Sequence, residues 1–186
     1  MVLRALGAGV KWVQYREKEK SRREIYEESV KIKKLTKEFN AVLIVNDHTD
    51  IAYAVDAEGV HVGEYDLPIK EARKILGKDK IIGLSTHSLE QAKDAEKEGA
   101  DYIGFGPVFH TLTKDAGSPR GIDILKVIKK QVNIPVVAIG GINFNNIKSV
   151  LETGVDAVAI ASAILNGEIE KNVKNFLEII RSYNER

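Results

Sequence analysis

Apolar residues along the chain fall into short β-branched runs at residues 10–13, 42–45, 60–62, 81–84, 102–105, 136–139 and 157–160. Each run is hydrophobic at successive rather than alternate positions, the pattern of strands buried on both faces of a parallel sheet. Between the runs the apolar spacing becomes helical. Ile25, Ile32, Leu35 and Phe39 share one face, as do Ile69, Ala72, Ile75 and Leu76, then Leu89, Ala92 and Ala95, and finally Ile169, Val173, Phe176, Leu177 and Ile180. Residues 1–8 read as the last turns of a helix. Gly9, Gly59, Gly99 and Gly154 each stand just ahead of a run, where a glycine ends the preceding helix. This recurring grammar predicts a repeated strand–helix unit. With no linker or shift in composition, it predicts one domain over residues 1–186.

Alternating strands and helices build either a doubly wound open sheet or a closed barrel. An open sheet for dinucleotides would carry Gly-x-Gly-x-x-Gly after its first strand, and the chain has none. Polar clusters instead follow nearly every run, as they do where a site is shared among the strand ends of a barrel. The expected fold is therefore an α/β (β/α)8 TIM barrel. Only seven runs are present, so the barrel lacks its first strand in this sequence, and that strand is expected upstream of Met1.

Composition narrows the chemistry. In 186 residues there are 28 Lys and Arg, 27 Asp and Glu, and no Cys, which excludes a disulfide framework, a thiolate metal site and a cysteine nucleophile. A net charge of +1 gives no pull towards nucleic acid or anionic membrane. No apolar run approaches the ~20 residues of a membrane helix, and no signal peptide opens the chain, so the expected location is cytoplasmic.

The polar clusters supply the candidates. In Gln14-Tyr15-Arg16-Glu17-Lys18, strand alternation sends Gln14, Arg16 and Lys18 to one side and Tyr15 and Glu17 to the other. The first set reads as either an anion site or a solvated strand end. Asn46-Asp47 follows the second run, and Gly63-Glu64-Tyr65-Asp66 follows the run containing His61. Asp47 and Asp66 suit Mg²⁺, which takes one or two carboxylates from a protein and leaves the rest of its shell to water and phosphate. Helix capping is the other reading of these acids, and for Asp50 it is preferred. Ser85 either donates to a phosphate or caps a helix; no nucleophile-elbow sequence surrounds it, which argues against a triad with His87. His48, His87 and His110 lack metal-ligand spacing. The long segment after the fifth run places Thr111, Thr113 and Lys114 where a donor-rich lid could fold over an anion. Gly140-Gly141 and Ala161-Ser162 follow the last two runs, where barrels bind phosphate through backbone N–H groups; tight turns are the alternative.

Together, residues 14–18, Val45-Asn46-Asp47, residues 59–63 with Asp66, residues 104–109 with residues 111–114, and Ile139-Gly140-Gly141-Ile142 resemble the thiamine phosphate synthase family in order and approximate spacing over essentially the whole chain. The resemblance implies a (β/α)8 barrel that joins hydroxymethylpyrimidine diphosphate to a thiazole phosphate and releases pyrophosphate. It implies pyrimidine and diphosphate contacts at Gln14, Arg16, Lys18, Asn46, His61, Ser85 and Lys114. It further implies Mg²⁺ ligands at Asp47 and Asp66, and a thiazole phosphate side at Thr111, Thr113, Gly141, Ala161 and Ser162. Arg16, Lys18, Ser85 and Lys114 are the implied catalytic set. The family's reaction is dissociative, and it needs charge stabilisation and alignment rather than a protein nucleophile. Small-molecule substrates are the expected partners, and homo-oligomerisation is left open. Two rivals stand beside the transferase: a thiazole tautomerase using His110, and a silent phosphate-binding barrel.

Overall fold

The computed structural model describes residues 1–111 and 117–185. They form two compact units, Met1–Leu84 and Ser85–Arg186. The first contains α1 (Val2–Gly7), β1 (Trp12–Tyr15), α2 (Arg22–Glu38), β2 (Val42–Asn46), α3 (Thr49–Ala54), β3 (Gly59–Val62), α4 (Ile69–Leu76) and most of β4 (Ile81–Thr86). The second contains α5 (Leu89–Glu98), β5 (Tyr102–Phe105), α6 (Ile122–Gln131), β6 (Val136–Ile139), α7 (Ile147–Leu151), β7 (Ala157–Ala159), α8 (Ser162–Leu165) and α9 (Ile169–Asn184). All seven expected strands are present, in chain order β1-β2-β3-β4 in the first unit and β5-β6-β7 in the second. The pairings β1 with β2, β2 with β3, β3 with β4, β5 with β6 and β6 with β7 are parallel. This is a seven-stranded parallel α/β fold; an eighth strand is not among the described residues.

The strands are buried as their runs predict. Leu43, Ile44 and Val45 of β2 are inaccessible to solvent, as are Val60 and Val62 of β3. Each such side chain contributes roughly 1.5–3 kcal/mol by leaving water. β1 is different: its burial alternates between exposed and intermediate, and Trp12 stays 47% exposed. Two helix starts are closed by side chains. Ser21 and Glu24 form a reciprocal capping box at the start of α2, and Ser88 accepts from the Gln91 N–H at the start of α5.

Four expectations need correction. β1 starts at Trp12 rather than residue 10, because the Val10 N–H donates to the Ala5 carbonyl at 3.1 Å and keeps that residue in the termination of α1. Gly59 is not a helix terminator. It is the first residue of β3, and a Cβ there would lie 2.1 Å from the Ile81 carbonyl oxygen, so it is required by close strand approach. The left-handed residue after α3 is Asp56, with φ 53. Asp50 does not cap α3, whose N-cap is His48; it lies in the first helical turn and pairs with Arg22 of α2. Finally, the inner face of α2 is Ile25, Ser29 and Thr36, whereas Ile32, Leu35 and Phe39 are only half-buried. Small polar residues let that helix sit close to its neighbours where larger ones would hold it off.

Candidate active site

In the first unit, the C-terminal ends of β1, β2 and β3 carry the charged candidates. β1 ends at Tyr15, and beyond it Arg16 and Lys18 are exposed while Tyr15 and Glu17 are half-buried, the alternation that the strand pattern predicts. Gln14 lies in β1, in register with Ile44 of β2. Asn46, the last residue of β2, is buried and in register with His61 of β3.

Asp47 follows Asn46 in a left-handed conformation, φ 64, fixed where its N–H donates to the His61 carbonyl at 2.8 Å. A non-glycine residue held there is uncommon and is tolerated most readily by Asp and Asn. The result is that Asp47 accepts from Lys18 Nζ at 2.6 Å and shares a side-chain hydrogen bond with Asp66. Asp66 is held in turn by the Gly63 N–H, which donates to its Oδ2 at 2.7 Å. Neither acid stands at a helix N-cap: that position is His48 in α3 and Pro68 in α4.

The electrostatics separate the two carboxylates. Burial opposes charge on Asp47, but the Lys18 ammonium and the hydrogen bond from Asp66 outweigh it and hold Asp47 below its ordinary range. Asp66 is pushed up, by burial and then by the neighbouring Asp47. Two acids are thus pressed together, one held below its ordinary range and the other above it, with one ammonium beside them, an arrangement that a cation would relieve. Among the described residues no group of three or more His, Cys, Asp or Glu could hold a metal. Two hard oxygen donors alone still fit Mg²⁺, whose remaining positions go to water and phosphate. His61 is buried, and that burial lowers its proton affinity to about 4, only partly offset by Asp47, so it is neutral at physiological pH.

In the second unit the strand ends are built from small residues. Ser85 lies in β4 and is half-buried. After β6, Gly141 has φ 67, and a Cβ there would lie 2.4 Å from the His110 carbonyl oxygen and 2.8 Å from Phe109 Cβ. Only glycine fits. The Gly141 carbonyl is held by two amides that sequence reasoning missed, Asn143 Nδ2 at 3.2 Å and Asn146 Nδ2 at 2.9 Å. Asn143 and Asn146 fix the turn itself, because the Asn143 N–H also donates to Asn146 Oδ1 at 2.8 Å. The Asn-rich segment after the glycine pair was the available signal. Ala161 and Ser162 follow β7 and are exposed; Ser162 opens α8. Thr111 is half-buried, whereas Thr113 and Lys114 lie outside the described residues. His87 is structural, with Nδ1 2.6 Å from the Gly106 carbonyl oxygen, and His110 is exposed.

The structure therefore joins Lys18, Asp47 and Asp66 directly and attaches Asn46 and His61 to them through strand register. Also missed from sequence were Glu28 and Lys20, which hold the β1–α2 loop from behind.

Residues 1–164 match the family model described as thiamine monophosphate synthase. The thiamine-phosphate synthase of Caldanaerobacter subterraneus subsp. tengcongensis is 52% identical over 184 residues, which cover 98% of this chain and 86% of that protein. The thiamine-phosphate synthase of Caldicellulosiruptor saccharolyticus is 47% identical over 180 residues, 96% of this chain and 81% of that one. Among solved structures, the thiamine phosphate pyrophosphorylase from Pyrococcus furiosus superposes with a TM-score of 0.92 at 43% identity, covering 98% of this chain and 88% of that one.

Proposed function

The chain belongs to the thiamine monophosphate synthase family, and from that premise we propose that it joins hydroxymethylpyrimidine diphosphate to a thiazole phosphate, giving thiamine phosphate and pyrophosphate, with Mg²⁺ held by Asp47 and Asp66. The observation that carries the assignment of roles is the Lys18–Asp47–Asp66 cluster at successive strand ends, two adjoining carboxylates beside an ammonium, a donor set that suits a cation and a polyanion together. Bound there, Mg²⁺ supplies a compact double positive charge to the diphosphate oxygens.

The chain's own residues do the rest. Arg16 and Lys18 meet the diphosphate as negative charge builds on it during departure, Arg16 through its planar fork and Lys18 as a point charge. Lys18 would exchange Asp47 for a phosphate oxygen of the bound diphosphate, and Asp47 with the deprotonated Asp66 would then hold the metal. Gln14, Asn46 and the neutral His61 offer hydrogen bonds to the pyrimidine, and Ser85 donates to the diphosphate. The carbon–oxygen bond to diphosphate breaks with its electron pair on the leaving group, and the thiazole ring nitrogen supplies the pair for the new bond to the pyrimidine methylene carbon. No side chain need form a bond to carbon. Alignment is the other requirement, since two bound reactants react as one molecule would. The backbone around Gly141 and the groups at Thr111, Ala161 and Ser162 take the thiazole phosphate. Lys114 is assigned to the diphosphate and Thr113 to the thiazole phosphate on the resemblance alone. The proposed architecture is a single (β/α)8 barrel, with seven of its strands among the described residues.

The synthase reading also accounts for what a tautomerase would not use, because a tautomerase has no diphosphate for Arg16, Lys18, Asp47 and Asp66 to hold. The test is product formation from the two substrates, with Mg²⁺ and with the metal chelated. Thiamine phosphate formed only with Mg²⁺ is the expected result. Equal rates after chelation would overturn the metal assignment, and no product under either condition would overturn the function.

A further inference from the structure

The β1–α2 loop presents Arg16 and Lys18, yet five charged residues in succession, residues 16–20, have no intrinsic reason to adopt one shape. Behind the loop lies a connected set of groups that gives them one. The Tyr15 hydroxyl, at the end of β1, donates to Glu28 Oε2 on α2, and Lys20 Nζ donates to the other oxygen of the same carboxylate. Lys20 Nζ also lies 3.9 Å from Glu17 Oε2. Glu17 Oε1 then accepts from the backbone N–H groups of Lys18 and Glu19, each at 2.8 Å. Both ends of the loop are thus fastened to one carboxylate, and its middle is folded around a second.

We propose that Glu28, acting through Tyr15 and Lys20, is a positioning residue that shapes the β1–α2 loop so that Arg16 and Lys18 face the diphosphate. The proposal rests on the synthase reading for the identity of that anion. Its physical content is preorganisation of the backbone: a loop already in shape before the ligand arrives is not ordered at the expense of binding, and only the Lys18 ammonium has to change partner. Stability alone is a poor reason for the set, because solvent screening leaves ion pairs as exposed as Lys20 with Glu28 and Glu17 worth little. Burial and the adjacent Glu28 also raise the proton affinity of the Tyr15 hydroxyl far above its ordinary range, so it remains a donor at any working pH. Glu28 is held charged by Lys20 first and Tyr15 second.

The test uses the full chain with Tyr15→Phe, Glu28→Gln and the double variant. Tyr15→Phe keeps the ring and removes only the donor. Two readings are taken: the affinity for inorganic pyrophosphate with Mg²⁺ by calorimetry, and separate KM values for the two substrates. Each single variant should weaken pyrophosphate binding, and raise KM for the pyrimidine diphosphate, by about three- to tenfold. KM for the thiazole phosphate and Tm should stay put, and the double variant should be no worse than Glu28→Gln alone, because the bond that Tyr15→Phe removes ends on Glu28. Unchanged pyrophosphate affinity would overturn the proposal. So would parallel rises in both KM values with a lowered Tm, the mark of a general structural role. If the wild type formed no thiamine phosphate but the variants still lost pyrophosphate affinity, the synthase reading would fail while the positioning role stood.

Discussion

Glu58 in the first unit and Asp156 in the second occupy equivalent places, each immediately ahead of a strand, β3 or β7. Glu58 accepts from the Leu43 N–H of β2 at 2.8 Å and pairs with Lys33 of α2; Asp156 accepts from the Val136 N–H of β6 at 2.8 Å and pairs with Lys129 of α6 at 2.6 Å. The same clip of helix lysine, carboxylate and backbone N–H thus fastens the N-terminal ends of neighbouring strands in both units. At the C-terminal ends the units part. The first carries Arg16, Lys18, Asp47, His61 and Asp66, and joins Lys18, Asp47 and Asp66 by side-chain hydrogen bonds. The second carries Gly141, Ala161 and Ser162, with the turn at Gly141 fixed through its carbonyl by Asn143 and Asn146. The difference follows from the ligands proposed for each. A diphosphate with a metal needs mobile, tunable charge, whereas a monophosphate can be met by fixed N–H groups, provided that no Cβ stands in the way.

The sharpest way to break the comparison is Asp47→Ala. Steady-state assays should show turnover falling by about 10²- to 10³-fold; an unchanged rate would remove Asp47 from the site. Gly141→Ala should be the counterpart in the second unit. The forced left-handed backbone and the clash with the His110 carbonyl together cost about 4 kcal/mol, read as a lowered Tm and a raised KM for the thiazole phosphate. A variant of wild-type stability would show the turn to be looser than the geometry indicates.

Acid should act through the first unit. Its buried His61 takes a proton only near pH 4 in the folded state, against 6.5 when unfolded. Between those values the unfolded chain binds more protons, so stability is lost as pH falls through that window, by an amount on the order of 3 kcal/mol when complete. Denaturant melts of the wild type and His61→Gln at several pH values should show a shallower loss in the variant; parallel curves would clear His61 of the effect. Metal affinity should fall with pH in the same direction, starting above the range of an ordinary aspartate, because Asp66 must give up a proton that burial and Asp47 retain. The smallest effects belong to the shared clip. Glu58→Gln and Asp156→Asn should each cost about 1–2 kcal/mol in chemical denaturation, by similar amounts. Markedly unequal costs would mean that the repeat is one of appearance only.

Much of this was legible in the sequence because it depends on period. All seven strands follow from β-branched runs, and the opposite fates of Arg16 and Tyr15 follow from strand alternation. Asp47 and Asp66 were legible as acids after successive strands, yet their contact depends on the left-handed backbone of Asp47, which no local pattern announces. Glu28 was hidden for a related reason: on α2 it looks like any exposed helix acid until packing brings Tyr15 under it. Ser29 and Thr36 were passed over because closeness of packing, not hydrophobicity, selects them for the inner face of α2. Asp before an apolar stretch usually marks a helix cap, but Asp50 lies inside the first turn of α3, where Arg22 claims it.

The most direct test of the division of labour is calorimetry on Asp47→Ala with each ligand in turn, pyrophosphate with Mg²⁺ and then the thiazole phosphate. Pyrophosphate binding should be lost, while the thiazole phosphate should bind within about twofold of wild type, the tolerance expected for independent sites. Pyrophosphate binding at wild-type strength, or loss of both ligands together, would contradict the account.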